Sequence, residues 1–269
     1  LHFENTQKSL YDIVIFDIEN KQIAKRIPLH KTGPNGLPAV YGSRPSPDSK
    51  QILISQNNIG RLSTINNQGE VVHNYPVKTP EGRFTTFFFC SYYNAPAFVK
   101  DSCIFLNQGI FKPNMKREDW PQTHMFASQN LETGKFEWVP IFYPPIFKEE
   151  YENIDGGYGF SYDYNYKESR LVCGFFGYDS LMVTDDLKHI RWYNAKSKYL
   201  KSMKPKLGNA MAGINSIIEF CEAPMYWHIM YDKYRDVYYR FAEMPYKLAP
   251  NESPYDEPKG KEFSVIVLN

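Results

Sequence analysis

Ser161 lies in the run Gly159-Phe160-Ser161-Tyr162-Asp163, which holds the first half of a G-x-S-x-G nucleophile elbow. Such an elbow needs its second glycine so that the chain can turn sharply from a strand into a helix and lift the serine hydroxyl off the sheet. Asp163 takes that glycine's place and no strand-then-helix context surrounds the run, so Ser161 reads as a serine within a β-strand. Glu149, Glu150, Glu152 and Asp155 could supply the two carboxylates of a glycosidase, but clustered acids usually sit in solvated loops and nothing here fixes their separation. Asp163-Tyr164-Asn165-Tyr166-Lys167 starts like a calcium loop. Lys167 then puts a cation where the third oxygen ligand belongs, and no downstream Gly and Glu complete the set. The six histidines (His2, His30, His73, His124, His189 and His228) show neither H-E-x-x-H nor any paired spacing. Gly156-Gly157-Tyr158-Gly159 precedes a strand rather than a helix and lacks phosphate-loop spacing. The expectation is no metal, no cofactor and no catalytic residue that can be assigned.

Two aromatic and polar stretches remain: Tyr158, Tyr162, Asp163, Tyr164 and Tyr166, and then Tyr226, Trp227, His228, Tyr231, Asp232 and Tyr234. Aromatic faces beside carboxylates and amides suit sugar rings, whose C–H patches stack while their hydroxyls are hydrogen-bonded. The alternative is that alternate members pack between sheets while the others point outward.

The elements that must position these residues are strands. Apolar residues recur at period two, 19 prolines punctuate the chain, and no segment carries a convincing helical period. Glycine-containing turns open four similar segments, at Gly33-Pro34-Asn35-Gly36, Pro80-Glu81-Gly82, Asp155-Gly156-Gly157 and Lys206-Leu207-Gly208. Their anchors, Gly36, Gly82, Gly157 and Gly208, are 46, 75 and 51 residues apart; two of these spacings approach the repeat of propeller blades. First strands are expected at Ala39-Val40-Tyr41 and Phe84-Thr85-Thr86-Phe87. Second strands are expected at Gln51-Ile52-Leu53-Ile54, Ser102-Cys103-Ile104-Phe105 and Arg170-Leu171-Val172-Cys173. Closing hairpins are expected around Asn67-Gln68-Gly69, Glu132-Thr133-Gly134 and Asp185-Asp186, and a further one around Glu19-Asn20. An antiparallel sheet of four strands cannot bury both faces alone, so successive sheets must stack. The fold expected is all-β: a β-propeller of four-stranded antiparallel blades, roughly four to six of them, forming one domain over residues 1–269.

Composition narrows the function. Lys plus Arg number 31 against 30 Asp plus Glu, and no sustained basic run with interleaved aromatics stands out, which argues against nucleic-acid binding. The longest apolar runs, such as Phe87-Phe88-Phe89-Cys90, are far too short to span a membrane. Aromatic residues make up 16%, with 21 Tyr and 19 Phe, a composition that favours pleated, half-buried surfaces. Cys90, Cys103, Cys173 and Cys221 form no C-x-x-C pair. Cys90 and Cys103 could meet across a hairpin, although free thiols are the simpler reading.

The runs Gly33-Pro34-Asn35-Gly36, Tyr231-Asp232-Lys233-Tyr234-Arg235-Asp236-Val237-Tyr238-Tyr239-Arg240-Phe241 and Ser264-Val265-Ile266-Val267-Leu268 resemble the family known as domain of unknown function 4221. Its members are propeller-like proteins of gut-dwelling Gram-negative bacteria, commonly taken to be exported lipoproteins. The resemblance implies the fold, an exported address in the periplasm or at the outer membrane, and a lipid anchor upstream of residue 1. Members look longer than this chain, which implies that further residues close the ring. The resemblance implies no activity.

In a propeller, the turns entering the innermost strands crowd one mouth of the central channel. Here they carry Asn35, Arg83, Asp155, Tyr158 and Asn209, a polar set able to take a neutral polyol or a small peptide. The function expected is a monomeric, non-enzymatic binding or scaffolding propeller recognising a glycan, peptide or protein. The alternative is a glycan hydrolase or lyase with its site at the axis.

Overall fold

The computed structural model describes residues 2–6, 10–40, 42–46, 50–56, 60–77, 96–107, 121–145, 159–200, 214–254 and 260–269. Within them lie five antiparallel meander sheets. The first joins β1 (His2–Thr6), β2 (Leu10–Asp17) and β3 (Gln22–His30), and the second β4 (Gly42–Pro45), β5 (Ile52–Gln56), β6 (Arg61–Ile65) and β7 (Val71–Pro76). The third joins β8 (Phe98–Lys100), β9 (Cys103–Asn107), β10 (Phe126–Asn130) and β11 (Phe136–Trp138). The fourth runs through β12 (Phe160–Asn165), β13 (Arg170–Phe175), β14 (Ser180–Thr184) and β15 (Arg191–Asn194), and the fifth through β16 (Met225–Asp232), β17 (Val237–Glu243) and β18 (Phe263–Leu268). Sheets one to three form one compact unit. Sheets four and five form a second, together with the helix α1 (Ile214–Glu222).

Asn or Asp side chains build the hairpin turns. Asp17 Oδ1 accepts the N–H groups of Glu19 (3.0 Å) and Asn20 (3.1 Å), and Asn66 Oδ1 those of Gln68 (2.9 Å) and Glu70 (3.0 Å). Asn130, Asn165, Asp186 and Asp232 do the same for the backbone two and three residues on. Each replaces ladder bonds that the turn cannot make.

In the first unit the second sheet is buried on both faces. Ile52, Ile54 and Ile65 pack with Ile13, Ile27 and Leu29 of the first sheet, whereas Leu53, Leu62 and Tyr75 pack with Ile104, Leu106 and Ala127 of the third. Period two therefore sends neighbouring residues of β5 into different cores, and all five residues of that strand are buried. Ile52, Leu53 and Ile54 each contribute about 2 kcal/mol of burial. In the second unit Val172, Leu181 and Val183 of the fourth sheet meet Ile229 and Tyr238 of the fifth. The opposite face of the fourth sheet buries Phe160, Tyr162, Tyr164 and Phe175, with the Tyr143 ring edge-on to Phe160 at 5.8 Å.

The expected second strands and hairpin turns fall where the sequence put them, as β5, β9 and β13 and as the turns between β6 and β7, β10 and β11, and β14 and β15. Three features differ. Ala39 and Val40 lie ahead of a strand that begins at Gly42, because the Leu37 N–H is held by His30 O at 2.7 Å and Pro38 offers no donor for a ladder. Two of the five sheets have three strands, not four, among the described residues. Helix α1 was not expected. Its own sequence places no base in the last turn, and Lys261 Nζ caps its C-terminal end instead, donating to the carbonyls of Cys221 (3.0 Å) and Ala223 (3.3 Å). Of the anchor glycines, Gly82, Gly157 and Gly208, like the expected strand at residues 84–87, lie outside the described residues.

Candidate functional site

Ser161 and Asp163 point from β12 toward β16 and bond its backbone. The register of β16 against β17 slips between Tyr226 and Ile229, which sets Trp227 and His228 together against one partner residue. Such a bulge takes backbone groups out of the ladder. The Ser161 hydroxyl answers both sides of it, donating to Trp227 O (2.9 Å) and accepting from the Ile229 N–H (2.8 Å). Two residues on, Asp163 Oδ2 accepts the Tyr231 N–H at 2.9 Å. The half-elbow serine is thus a fully buried stitch between two sheets. Gly174, beside Ser161 in the sheet, lets them approach; a Cβ there would lie 3.0 Å from Ile229 Cγ1.

Arg240 of β17 is fully buried. Its guanidinium donates to the carbonyls of Asp179 (2.6 Å), Ala195 (2.9 Å), Tyr178 (2.5 Å) and Phe175 (3.4 Å), tying down the loop between β13 and β14 and the chain leaving β15. The Tyr226 ring lies 3.5 Å from the guanidinium carbon. The Tyr226 hydroxyl donates to Asp179 Oδ1 (2.7 Å) and accepts from the Ser197 N–H (3.0 Å). Burial, with Asp179 second, pushes the Tyr226 phenol up to about 12. Burial pulls the guanidinium down to about 10, so it remains cationic at neutral pH. Residues 231–241 lie in the hairpin formed by β16 and β17.

Of the five turn residues expected to bind a ligand, Asn35 is described and exposed. Its Oδ1 accepts the Val71 N–H at 3.2 Å, which fastens its turn to β7. Arg83, Asp155, Tyr158 and Asn209 lie outside the described residues, as do the acidic Glu149, Glu150 and Glu152. In the aromatic stretches, Tyr162, Tyr164 and Tyr226 are core residues, while Tyr166 and Tyr234 face solvent. Asn165, from the calcium-like run, is spent on its turn. Among the described residues no three His, Cys, Asp or Glu side chains gather as metal ligands, and no helix is long and apolar enough to cross a membrane. Cys103, Cys173 and Cys221 are free thiols, and burial pushes the Cys173 thiol well above its usual range. Cys90 lies outside the described residues.

The surface feature that sequence reading passed over is the strip around β15. All four residues of this strand are exposed, with Trp192 at 41% and Tyr193 at 50%. Lys188, Lys196, Lys198 and Tyr199 are exposed on either side, and the Lys198 ammonium sits 4.9 Å from the Tyr199 ring centroid. Arg191 pairs with Asp185, which Arg170 also holds at 2.8 Å; hydrogen bonding from Arg170, and then from Arg191, keeps the Asp185 carboxyl below its usual range. The Asp186 carboxylate is held still lower, chiefly by the His189 N–H and then its imidazole. Asp185 and Asp186 are therefore both engaged by basic groups within the strip. The signal was in the sequence, as Lys188, Arg191, Lys196 and Lys198 around Trp192, Tyr193 and Tyr199, but gaps of two to five residues between the bases hid it.

Antiparallel meanders stacked through apolar faces, with small polar side chains stitching one sheet to the next, define an all-β fold of the β-propeller class. The model of the family described as "Domain of unknown function (DUF4221)" matches residues 1–269, and the chain belongs to that family. It is 83% identical to a DUF4221 family member from Bacteroides vulgatus whose crystal structure covers 100% of this chain at a TM-score of 0.91; this chain covers 74% of that one. A streptogramin B lyase (14% identity, 79% of this chain and 56% of that one, TM-score 0.37) and the Swd1 β-propeller domain of Myceliophteria thermophila (11%, 97% and 70%, TM-score 0.36) are far more distant, and at those scores neither bears on function. No curated protein matches the chain.

Proposed function

We propose that the chain is a single-domain, non-enzymatic binding or scaffolding propeller, exported to the cell envelope, that recognises a glycan or peptide through aromatic side chains held at its surface. The observation that carries this reading is the exposure of Trp192, Tyr193, Tyr199 and Tyr234 in the second unit. Such rings cover large contact areas while immobilising few torsions, which suits recognition. The buried positions of Ser161 and Arg240 support it, since both are consumed in holding sheets and loops together. The polar turn set of Asn35, Arg83, Asp155, Tyr158 and Asn209 belongs to the same reading as a second contact region. The exported address rests on the family resemblance.

The test is a glycan and peptide array probed with the purified chain, with mass spectrometry of every retained compound. Saturable retention with unchanged ligand mass is expected. Cleavage of a retained glycan would replace this reading with a hydrolase or lyase.

A further inference from the structure

Asn35-Gly36 is the one Asn-Gly pair in the chain; every other asparagine with a following residue is followed by one that carries a Cβ. The pair sits in the turn of residues 33–36, between β3 and β4. There the Gly36 N–H donates to Gly33 O at 2.9 Å, and the Leu37 N–H to His30 O at 2.7 Å. A Cβ on Gly36 would lie 2.9 Å from both Gly33 O and the Thr32 carbonyl carbon, so the turn requires glycine. Asn35 is equally committed, because its Oδ1 accepts the Val71 N–H at 3.2 Å and fastens the turn to β7. Packing thus keeps side by side two residues that react with each other. An asparagine amide carbon is one ring closure away from the next backbone nitrogen, and glycine alone leaves that nitrogen unshielded by a side chain.

We propose that exposed Asn35 is a site of spontaneous deamidation, and that opening of its turn sets the rate. The reaction needs only hydroxide and water. Hydroxide takes the Gly36 N–H proton, and the freed electron pair on nitrogen attacks Asn35 Cγ. A C–N bond forms, the Cγ–Nδ2 bond breaks, and Nδ2 leaves as ammonia after taking a proton from water. Water then opens the five-membered imide at either carbonyl, which yields aspartate or isoaspartate. In the closed turn both reacting groups are held, the Gly36 N–H by Gly33 O and the Asn35 amide by the Val71 N–H. The reaction therefore runs through the opened turn, a local event that leaves the rest of the unit folded. Isoaspartate routes the main chain through Cγ and lengthens it by one methylene. The oxygen that held Val71 then belongs to the main chain, and the turn does not re-form on the same bonds. β7 loses this tie beside the point where its register with β6 shifts, between Thr64 and Ile65.

The test ages the whole chain at pH 9, folded and in urea, and follows every asparagine by peptide mapping with mass spectrometry. Hydrogen exchange is read on the aged folded sample. Asn35 should convert in the folded chain ahead of every other asparagine, with isoaspartate exceeding aspartate. Urea should speed its conversion by about tenfold or more, because the open turn is then fully populated. Exchange at Val71 should quicken in the aged chain but not in an aged Asn35→Gln variant, whose longer side chain closes the ring far more slowly. An Asn35→Ser variant, which keeps an oxygen acceptor and has no amide, serves in its place if glutamine disturbs the turn. No conversion of Asn35 in the folded chain, or faster conversion at another asparagine, would overturn the site. Equal rates with and without urea would overturn the control by turn opening. Unchanged exchange at Val71 in the converted chain would overturn the loss of the tie to β7.

Discussion

At the scale of single residues, the polar groups that suggested chemistry hold sheets together. Arg240, which suggested no chemistry, holds more than any of them, because four carbonyls depend on its one buried guanidinium. Removing one partner of a buried polar network leaves the rest unsatisfied, so Arg240→Met should cost about 3–5 kcal/mol in urea unfolding. Arg240→Lys should recover part of that loss, since an ammonium has three donors for four acceptors. Tyr226 makes a separate prediction. Its phenol ionises near 12 in the fold and near pH 10 when unfolded, so the stability it contributes is complete below about pH 10 and lost as the pH rises through about 12. Burial raises Tyr143 and Tyr238 in the same direction. Denaturation at pH 9 and pH 12, with tyrosinate absorbance followed in parallel, should show a loss that Tyr226→Phe reduces but does not abolish.

At the scale of elements, turns and close approaches fix the stacking. Gly69, in the turn between β6 and β7, has a φ of +88°, and a Cβ there would lie 2.5 Å from the Pro28 carbonyl oxygen of β3. Backbone conformation and sheet contact both require glycine at this position. Gly69→Ala should cost at least about 1–3 kcal/mol, read as a lower thermal midpoint of the first unit's signals. The bulge of β16 is the matching device in the second unit. It sets Trp227 and His228 against one residue of β17 and leaves backbone groups for Ser161 to satisfy. Neither contact is local: Ser161 and Ile229 are 68 residues apart, and so are Asp163 and Tyr231.

At the scale of the whole molecule, charge decides what the surface can attract. A formal net charge of +1 gives no long-range pull on a polyanion, and the basic strip at β15 holds too few cations to grip a duplex. The chain should leave a short DNA duplex unretarded in a mobility-shift assay at physiological salt. Retardation that is lost in a Lys188→Gln, Lys196→Gln, Lys198→Gln variant would show that the strip acts on nucleic acid after all.

The sequence by itself determined the local part of this protein. Period-two alternation, turn glycines and the Asn and Asp residues at hairpin tips decided that strands form and roughly where they reverse, because those preferences act over a few residues. Only the tertiary structure decided which polar side chains are spent and which are exposed. Ser161, Asp163 and Arg240 meet backbone groups 45 to 68 residues away, and α1 gains its cap from a lysine 40 residues beyond Cys221. The edge position of β15 depends on sheet order rather than on its own four residues. No local pattern carries such information, because burial belongs to the packed sheets and not to the segment.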